Sequence, residues 1–543
     1  MVDKLALLIP EIILFIGTCI VMVVGLSPSA GARNQCWLIT AVSLLFAGIA
    51  AGLGPEPAGA LLPGMTSFGK GLTAVVGIML VLMMPGTVDR REEEKIRLGG
   101  KFDPLRLTRA EFYAFILFSL TGLMLTASAD TLIWLFLALE LTSLPTYVMV
   151  TISSRRDKAQ EAGVKYFFLG ALGAATFLYG FAMLYGGTGT VRLDEIRQVI
   201  AEGGMNNLTV LGLVLSLVGI FFKIAAVPMH FYTADVYQGA ASSVTAFLAF
   251  VPKTAGFLAI LLLCAAAGWD QIGPAGDATA LAEPLRYLIG ITAAVTMTIG
   301  NVLAWKQRSV KRMLAYSSIA HSGYMLVGVL AGPGNGTIWS SGIAAVLFYL
   351  AVYGIGNAGA FAALASIEKI GKDGEAEEVD DIDDLKGLHR SNPVAAWVMA
   401  LSAASLLGIP PLLGFFGKLP LFAAGVRAGE IPLIVILGLN SAIAAFYYLR
   451  LIKAPLLDDP ATDDSQASAS PFAVRLFAGV VSAGGVVVVA IASGALMSAA
   501  TTAGQLNDSS APPAEATQER GSDHGEDHAD SGEIESIERV ASR

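Results

Sequence analysis

Residues 132–147 read Leu-Ile-Trp-Leu-Phe-Leu-Ala-Leu-Glu-Leu-Thr-Ser-Leu-Pro-Thr-Tyr. The stretch is apolar all round, and a single carboxylate, Glu140, stands in its middle. A run of about 20 such residues is long enough to cross a hydrocarbon core of about 30 Å. In lipid every backbone polar group has to be satisfied within the protein, so a spanning segment of this kind is a helix. Barrel strands would instead alternate apolar and polar over about ten residues.

Working outward, similar runs recur along nearly the whole chain. Fourteen spans are predicted near 4–26, 37–54, 70–86, 111–127, 131–151, 161–186, 207–229, 239–266, 284–304, 312–331, 340–367, 393–424, 431–453 and 472–499. The fold class is therefore an all-α polytopic membrane protein. Composition agrees: of 543 residues, 55% are hydrophobic and only 15% charged, against roughly 25% charged in soluble domains. Mean hydropathy is +0.65. The net charge of −9 comes mostly from acidic loops and a tail, and no basic stripe interleaved with aromatics points to nucleic acid. Cys19, Cys36 and Cys264 are isolated, so neither an iron–sulfur cluster nor a structural zinc has a ligand set. The opening Met-Val-Asp-Lys carries no net positive charge, and the first apolar stretch reads as a retained span and not as a signal peptide.

Loop charges set the orientation. Loops after odd-numbered spans hold 22 Lys and Arg, including the cluster from Arg90 to Arg109. The opposite side holds six, counting Lys70, plus three in the tail. The positive-inside rule then places both termini on the periplasmic side. Residues 507–543 are rich in Glu, Asp, Ser and Ala and are expected to be disordered. His524 and His528 in that tail could hold a metal loosely, but a solvated charged tail is the simpler reading.

Four lysines remain, and all are predicted inside spans: Lys165, Lys223, Lys253 and Lys418. A charge at the bilayer centre costs roughly 2.5–3.5 kcal/mol even on mild insertion scales. Lysine suits proton transfer because desolvation lowers an amine's pKa from about 10.4 toward neutrality, and an approaching carboxylate raises it again. Lys165 could simply snorkel to the interface, and Glu140 could serve only as its counter-charge. We expect these two to form a switchable pair, and Lys223, His230, Lys253 and Lys418 to line one polar row near the midplane. His230 follows Val227-Pro228, and an imidazole titrating near 6.5 suits a relay. Val227-Pro228 and Ile409-Pro410-Pro411 interrupt two spans at similar distances from spans four and nine. Interrupted segments at matching places in two halves mark inverted repeats with the ion site at the breaks.

Four motifs carry a family resemblance: the Glu140 stretch, Ala-Val-Pro-Met-His-Phe-Tyr-Thr-Ala-Asp-Val-Tyr-Gln-Gly-Ala (226–240), Ser-Ile-Ala-His-Ser-Gly-Tyr-Met-Leu-Val-Gly (318–328) and Gly-Ile-Pro-Pro-Leu-Leu-Gly-Phe-Phe-Gly-Lys (408–418). With Pro10-Glu11, they resemble subunit N of the bacterial NADH–quinone oxidoreductase, respiratory complex I. The resemblance implies fourteen helices with two inverted five-helix repeats. The domains would be an N-terminal three-helix segment (1–86), repeats over 111–266 and 284–453, a C-terminal helix (454–500) and the tail (501–543). It places the functional residues at Glu140, Lys165, Lys223, His230, Lys253 and Lys418, while His321 would order a helix end, with a coupling role as the alternative. It implies a translocase subunit in the cell inner membrane without a redox centre or cofactor of its own. NADH, FMN, iron–sulfur clusters and quinone would belong to partner subunits, and its neighbours would be the antiporter-like M and the small K and J subunits. The basic loop 87–110, the acidic loop 373–384 and the tail depart from the pattern and bear on partner contacts. The rivals are a subunit of a multi-subunit cation/proton antiporter or a related membrane-bound hydrogenase complex, and a membrane scaffold whose charges are relics.

Overall fold

A computed structural model describes residues 2–57, 59–154, 157–270, 280–370, 376–459 and 468–507. The tail, with His524 and His528, and the first part of the acidic loop lie outside the described residues. Eleven of the described helices are long and apolar enough to cross a membrane, and three shorter apolar helices accompany them, in agreement with the fourteen spans read from the sequence. The first three are α1 (Ile9–Gly25), α2 (Cys36–Leu53) and α3 (Pro63–Leu82), followed by α4 (Arg109–Ala127), α5 (Leu132–Ile152) and α6 (Asp157–Thr188). The seventh span is broken into α7 (Asn207–Phe221) and α8 (Thr233–Gly239), and α9 (Ser242–Ala267), α10 (Glu283–Trp305), α11 (Val310–Ala331) and α12 (Gly342–Ala365) come next. The twelfth is broken into α13 (Pro393–Leu407) and α14 (Leu413–Arg427), before α15 (Ile431–Leu456), α16 (Ala473–Ile491) and α17 (Ser493–Ala503).

Several helices start where a side chain can replace the missing intrahelical acceptor. Thr131 accepts from the Trp134 amide, Asn206 from Thr209, Ser309 from Arg312 and Asn392 from Ala395, the usual N-cap chemistry. Glycines let helices pack backbone to backbone. A Cβ at Gly212 or Gly219 on α7 would run into backbone atoms of Leu184 or Phe177 on α6, as expected where small residues replace hydrophobic pressure as the packing device. Every residue of α9 and of α12 is buried, whereas only about a third of the residues in the most apolar stretches of α2, α6 and α15 are buried. The two centre helices therefore see protein on all sides, and the outer ones face lipid.

Lys70, counted above with the loops, is a correction. It lies inside α3, 1% exposed, and its ammonium meets Glu11 of α1 at 2.8 Å while donating to the Leu7 carbonyl at 2.6 Å. The helix begins seven residues before the predicted span, because Pro63 opens it and the weakly apolar Thr66, Ser67 and Gly69 are carried along as its first turns.

The loop-side surface is also built from within the chain. Strands β1 (Ile367–Ile370), β2 (Ala376–Glu378) and β3 (Ser468–Ala469) form a small antiparallel sheet in the order β2-β1-β3. Glu93, on the short helix Arg90–Arg97, is gripped by Arg33 at 2.7 Å and Arg109 at 3.3 Å. Arg90 pairs with Glu368 at 2.9 Å. Arg475 donates to the carbonyls of Pro85 and Ala365. The basic loop is thus tied to β1 through Arg90 and to α1–α2 and α4 through Glu93.

Candidate functional site

The two breaks release backbone carbonyls inside the bundle, where a buried ammonium can use them. At the first, the helix ends at Phe221, Ala225 takes a left-handed φ of 55°, and Lys223 points inward. Its ammonium donates to Glu140 at 3.0 Å and to the Ser143 hydroxyl at 2.6 Å. Glu140 and Ser143 are three residues apart on α5 and so share one face. The Lys223 side chain is 2% exposed and that of Glu140 17%.

This replaces the expected pair of Glu140 with Lys165. Lys165 lies near the surface end of α6, its side chain 42% exposed, and binds Glu161 at 2.6 Å and Asp235 at 2.9 Å. Asp235 also receives Arg312 of α11 at 2.6 Å. A long side chain one turn from the surface reaches water-side carboxylates more cheaply than it reaches the bundle centre.

Lys253 sits in the middle of the fully buried α9. It donates to the Ser318 carbonyl at 2.5 Å, the Ser322 hydroxyl at 2.6 Å and the freed Ile224 carbonyl at 3.4 Å. Ser322 itself donates to Ile224 at 2.6 Å. The ammonium lies 5.7 Å from the Tyr353 ring centre, and among the described residues it meets no carboxylate. Between Lys223 and Lys253 a cavity of about 10 Å³ is walled by Tyr166, Tyr232 and Tyr237, room for about one water.

At the second break, Gly408 turns with φ 93°. Lys418 of α14 reaches back to donate to the Leu407 carbonyl at 2.7 Å, and its ammonium lies 5.2 Å from the Tyr324 ring centre. Lys223, Lys253 and Lys418 are all under 7% exposed. His321 fills the interval between the last two. It belongs to the middle of α11 and not to a helix end, which corrects the sequence reading. Its Nδ1 bonds the Tyr349 hydroxyl at 2.6 Å and its Nε2 the Tyr448 hydroxyl at 2.9 Å. The neighbouring polar run Ser317, Ser318 and Ser322 was the signal that could have placed it in the interior. His230 lies in the first break against Phe231. Its Nδ1 is buried and without a partner among the described residues, and no hydrogen bond joins that atom to a lysine.

The arrangement is a file of amines held mostly by neutral acceptors, with one carboxylate at one end. Amines of that kind can exchange protons along hydroxyl and water bridges without moving a heavy counter-ion. Among the described residues no group of His, Cys, Asp and Glu is arranged to hold a metal ion.

Residues 129–444 match the family model described as NADH:quinone oxidoreductase/Mrp antiporter, TM. The chain is 37% identical over 438 residues to NADH-quinone oxidoreductase subunit N 2 of Symbiobacterium thermophilum, covering 79% of this chain and 80% of that protein. Subunit N of Rhodospirillum rubrum is 36% identical over 83% of this chain and 87% of its own length. Among solved structures, a chain of respiratory complex I from Thermus thermophilus with bound aureothin superposes with a TM-score of 0.70 at 30% identity, covering 91% of this chain and all of that one. A chain of the Mrp complex from Dietzia has a TM-score of 0.71 at 19% identity, covering 93% of this chain and 97% of that one, a likeness of fold. With matches of this length and identity, the chain belongs to the NADH-quinone oxidoreductase subunit N family of antiporter-like membrane proteins.

Proposed function

We propose that this chain moves protons across a bacterial inner membrane as the N subunit of an NADH–quinone oxidoreductase. The observation that carries the reading is the buried file Glu140–Lys223–Lys253–His321–Lys418, strung between the two helix breaks. Electron transfer from NADH to quinone takes place in partner subunits, with FMN, iron–sulfur clusters and quinone bound there. Partner motion would open the Glu140–Lys223 pair. Lys223, deprived of its counter-charge, passes its proton through the water-sized cavity to Lys253. Ser322 and the hydrogen-bonded imidazole of His321 lead on to Lys418, which releases to the periplasm. Lys165 and His230 flank this file.

The breaks also support a division into inverted repeats over 111–266 and 284–453, preceded by the three-helix segment 1–86 and followed by the helix within 454–500. Loop charge favours periplasmic termini. Antiporter-like M and the small K and J subunits are the neighbours this placement calls for.

The test is Lys418. Lys418→Arg keeps the charge but gives up no proton, since arginine stays protonated above about pH 12, and Lys418→Met removes both. Proton uptake by vesicles holding the assembled complex should fall in both variants. Full pumping in the arginine variant would end the carrier role and leave Lys418 a cap for the Leu407 carbonyl.

A further inference from the structure

Lys253 is the most enclosed amine of the file, and the loop-side surface reaches it along a second set of polar groups. The carboxylate of Glu378, at the end of β2, accepts from the Ser242 amide at 3.0 Å and from its hydroxyl at 2.9 Å, at the first turn of α9. The same carboxylate meets Lys311 of α11 at 2.7 Å, and Lys311 also donates to the Ala240 carbonyl at 2.9 Å. Eleven residues further along both helices, at about 1.5 Å per residue, Lys253 of α9 meets Ser322 of α11 at 2.6 Å. The helices are therefore pinned together at the surface and at the amine.

Between the pins the facing stripes hold only small side chains. Ser242, Ala246, Ala249 and Lys253 follow one face of α9, and Lys311, Ala315, Ser318 and Ser322 one face of α11. Beside this gap lie three wholly buried polar atoms, the Ser318 hydroxyl, the Tyr353 hydroxyl and the Asn357 amide nitrogen; the Ser318 hydroxyl stands within reach of those of Tyr353 and Tyr237, and the Asn357 nitrogen has no hydrogen-bond partner among the described residues. Tyr353 and Asn357 are four apart on α12, and Phe361, four further on, stacks edge-on against Tyr237. One face of α12 thus follows the gap from Lys253 toward the loop side. An unpartnered buried polar atom costs about 1–3 kcal/mol, and native proteins usually satisfy such groups with internal water.

We propose that Glu378 and Lys311 form the mouth of a proton-uptake path that runs between α9, α11 and α12, past Asn357, Tyr353 and Ser318, to Lys253. The proposal rests on the translocation reading above and adds a second supply to this amine, from the loop side, beside the proton handed on by Lys223. Glu378 is a positioning residue: it fixes the N-terminus of α9 and the Lys311 ammonium, and it presents a fixed negative charge to hydrated protons at the surface. Lys311 from α11 and Arg475 from α16 face it, Glu368 stands opposite it on β1, and Asp380 lies two residues along its own loop. Burial alone would raise its carboxyl, but Lys311 and then Arg475 hold it below the usual carboxylate range, so the charge is present throughout the working pH range.

The experiment uses the whole complex in vesicles, with proton uptake and NADH–quinone turnover followed from pH 6.5 to 8.5. Glu378→Gln should lower pumping about twofold at the acid end and about tenfold at the alkaline end, where protons are scarce, and Glu378→Asp should restore most of the alkaline rate. Ala249→Leu, which fills the gap and changes no titratable group, should cut pumping several-fold in an assembled complex. Ser318→Ala tests the same gap should the leucine variant not assemble, and it should slow uptake by removing a water partner. A pH-independent loss in Glu378→Gln, or unchanged pumping in both gap variants, overturns the path. Lys418→Met is run alongside. If it abolishes pumping while the Glu378 and gap variants do not alter it, only the uptake path fails. If Lys418→Met pumps normally, the translocation reading itself fails.

Discussion

At the first helix break the buried ammonium of Lys223 faces a carboxylate, and at the second the buried ammonium of Lys418 meets, among the described residues, a peptide carbonyl and an aromatic ring but no carboxylate. The two lysines are buried to nearly the same degree, so the difference lies in the partner. A buried pair that loses one member leaves an uncompensated charge and is strongly destabilised. An amine held by a carbonyl loses one hydrogen bond when it is removed. On the translocation reading proposed above, the first break holds its proton until the pair is opened, and the second lets it go.

The largest expected effect follows at the first break. Glu140→Gln should destabilise the subunit by about 3–5 kcal/mol, seen as loss of assembled complex at a temperature that the parent tolerates, and pumping should fall with it. Replacing Lys223 by Met in the same chain should recover much of the assembly but none of the pumping. If the single variant assembles as well as the parent, the contrast between the breaks is wrong.

Lys70 sharpens the contrast from outside the file. Lys70→Met should cost a similar 3–5 kcal/mol by stranding Glu11, and adding Glu11→Leu should restore assembly. Proton pumping per complex should stay at the parental value, which separates a structural pair from a working one. Lys418→Met should cost only about 1 kcal/mol of stability while removing pumping, the reverse pattern.

Two small effects complete the series. Lys165→Ala should change stability by less than about 1 kcal/mol, since the bridge is half exposed, and pumping should remain near parental. A large pumping defect would return Lys165 to the file. At the surface, burial would raise the Glu93 carboxyl, but Arg33 and then Arg109 hold it below the usual range. Its contribution is fully present above the unfolded value and disappears as pH falls through the lower folded one. Protease cleavage within 98–106 should therefore speed up only in acid, and Glu93→Gln should abolish that pH dependence.

The spans and both breaks were legible in the sequence because each is a property of a continuous stretch: an apolar run, or a Pro inside one. Which carboxylate meets which lysine was not. The position of Lys165 along its helix gives depth but not the direction in which the side chain leaves the axis; Glu161 lies one turn back on the same helix, but only packing of α6 against α8 brings Asp235. Lys70 was misplaced because its helix begins with polar residues that hydropathy does not count. His321 was read from its motif as ordering a helix end, whereas it lies in the middle of the almost wholly buried α11, where Ser318 and Ser322 serve the neighbouring amine. The acidic loop was legible as a departure, but not as a clasp on Ser242 and Lys311.

The bond from Arg475 to the Pro85 carbonyl joins positions 390 residues apart, and it has a consequence for biosynthesis. A ribosome delivers the first three helices long before the arginine that ties down the loop beneath them. Until about nine-tenths of the chain has been made, that segment lacks this latch and is held by its neighbours in the bilayer, by the grip of Arg33 on Glu93 and, later, by Arg90 on Glu368. Chains stalled short of α16 should therefore reach the membrane with a correctly inserted but unlatched front end, exposed to quality-control proteases, and Arg475→Ala should shorten the lifetime of newly made subunits more than that of assembled ones.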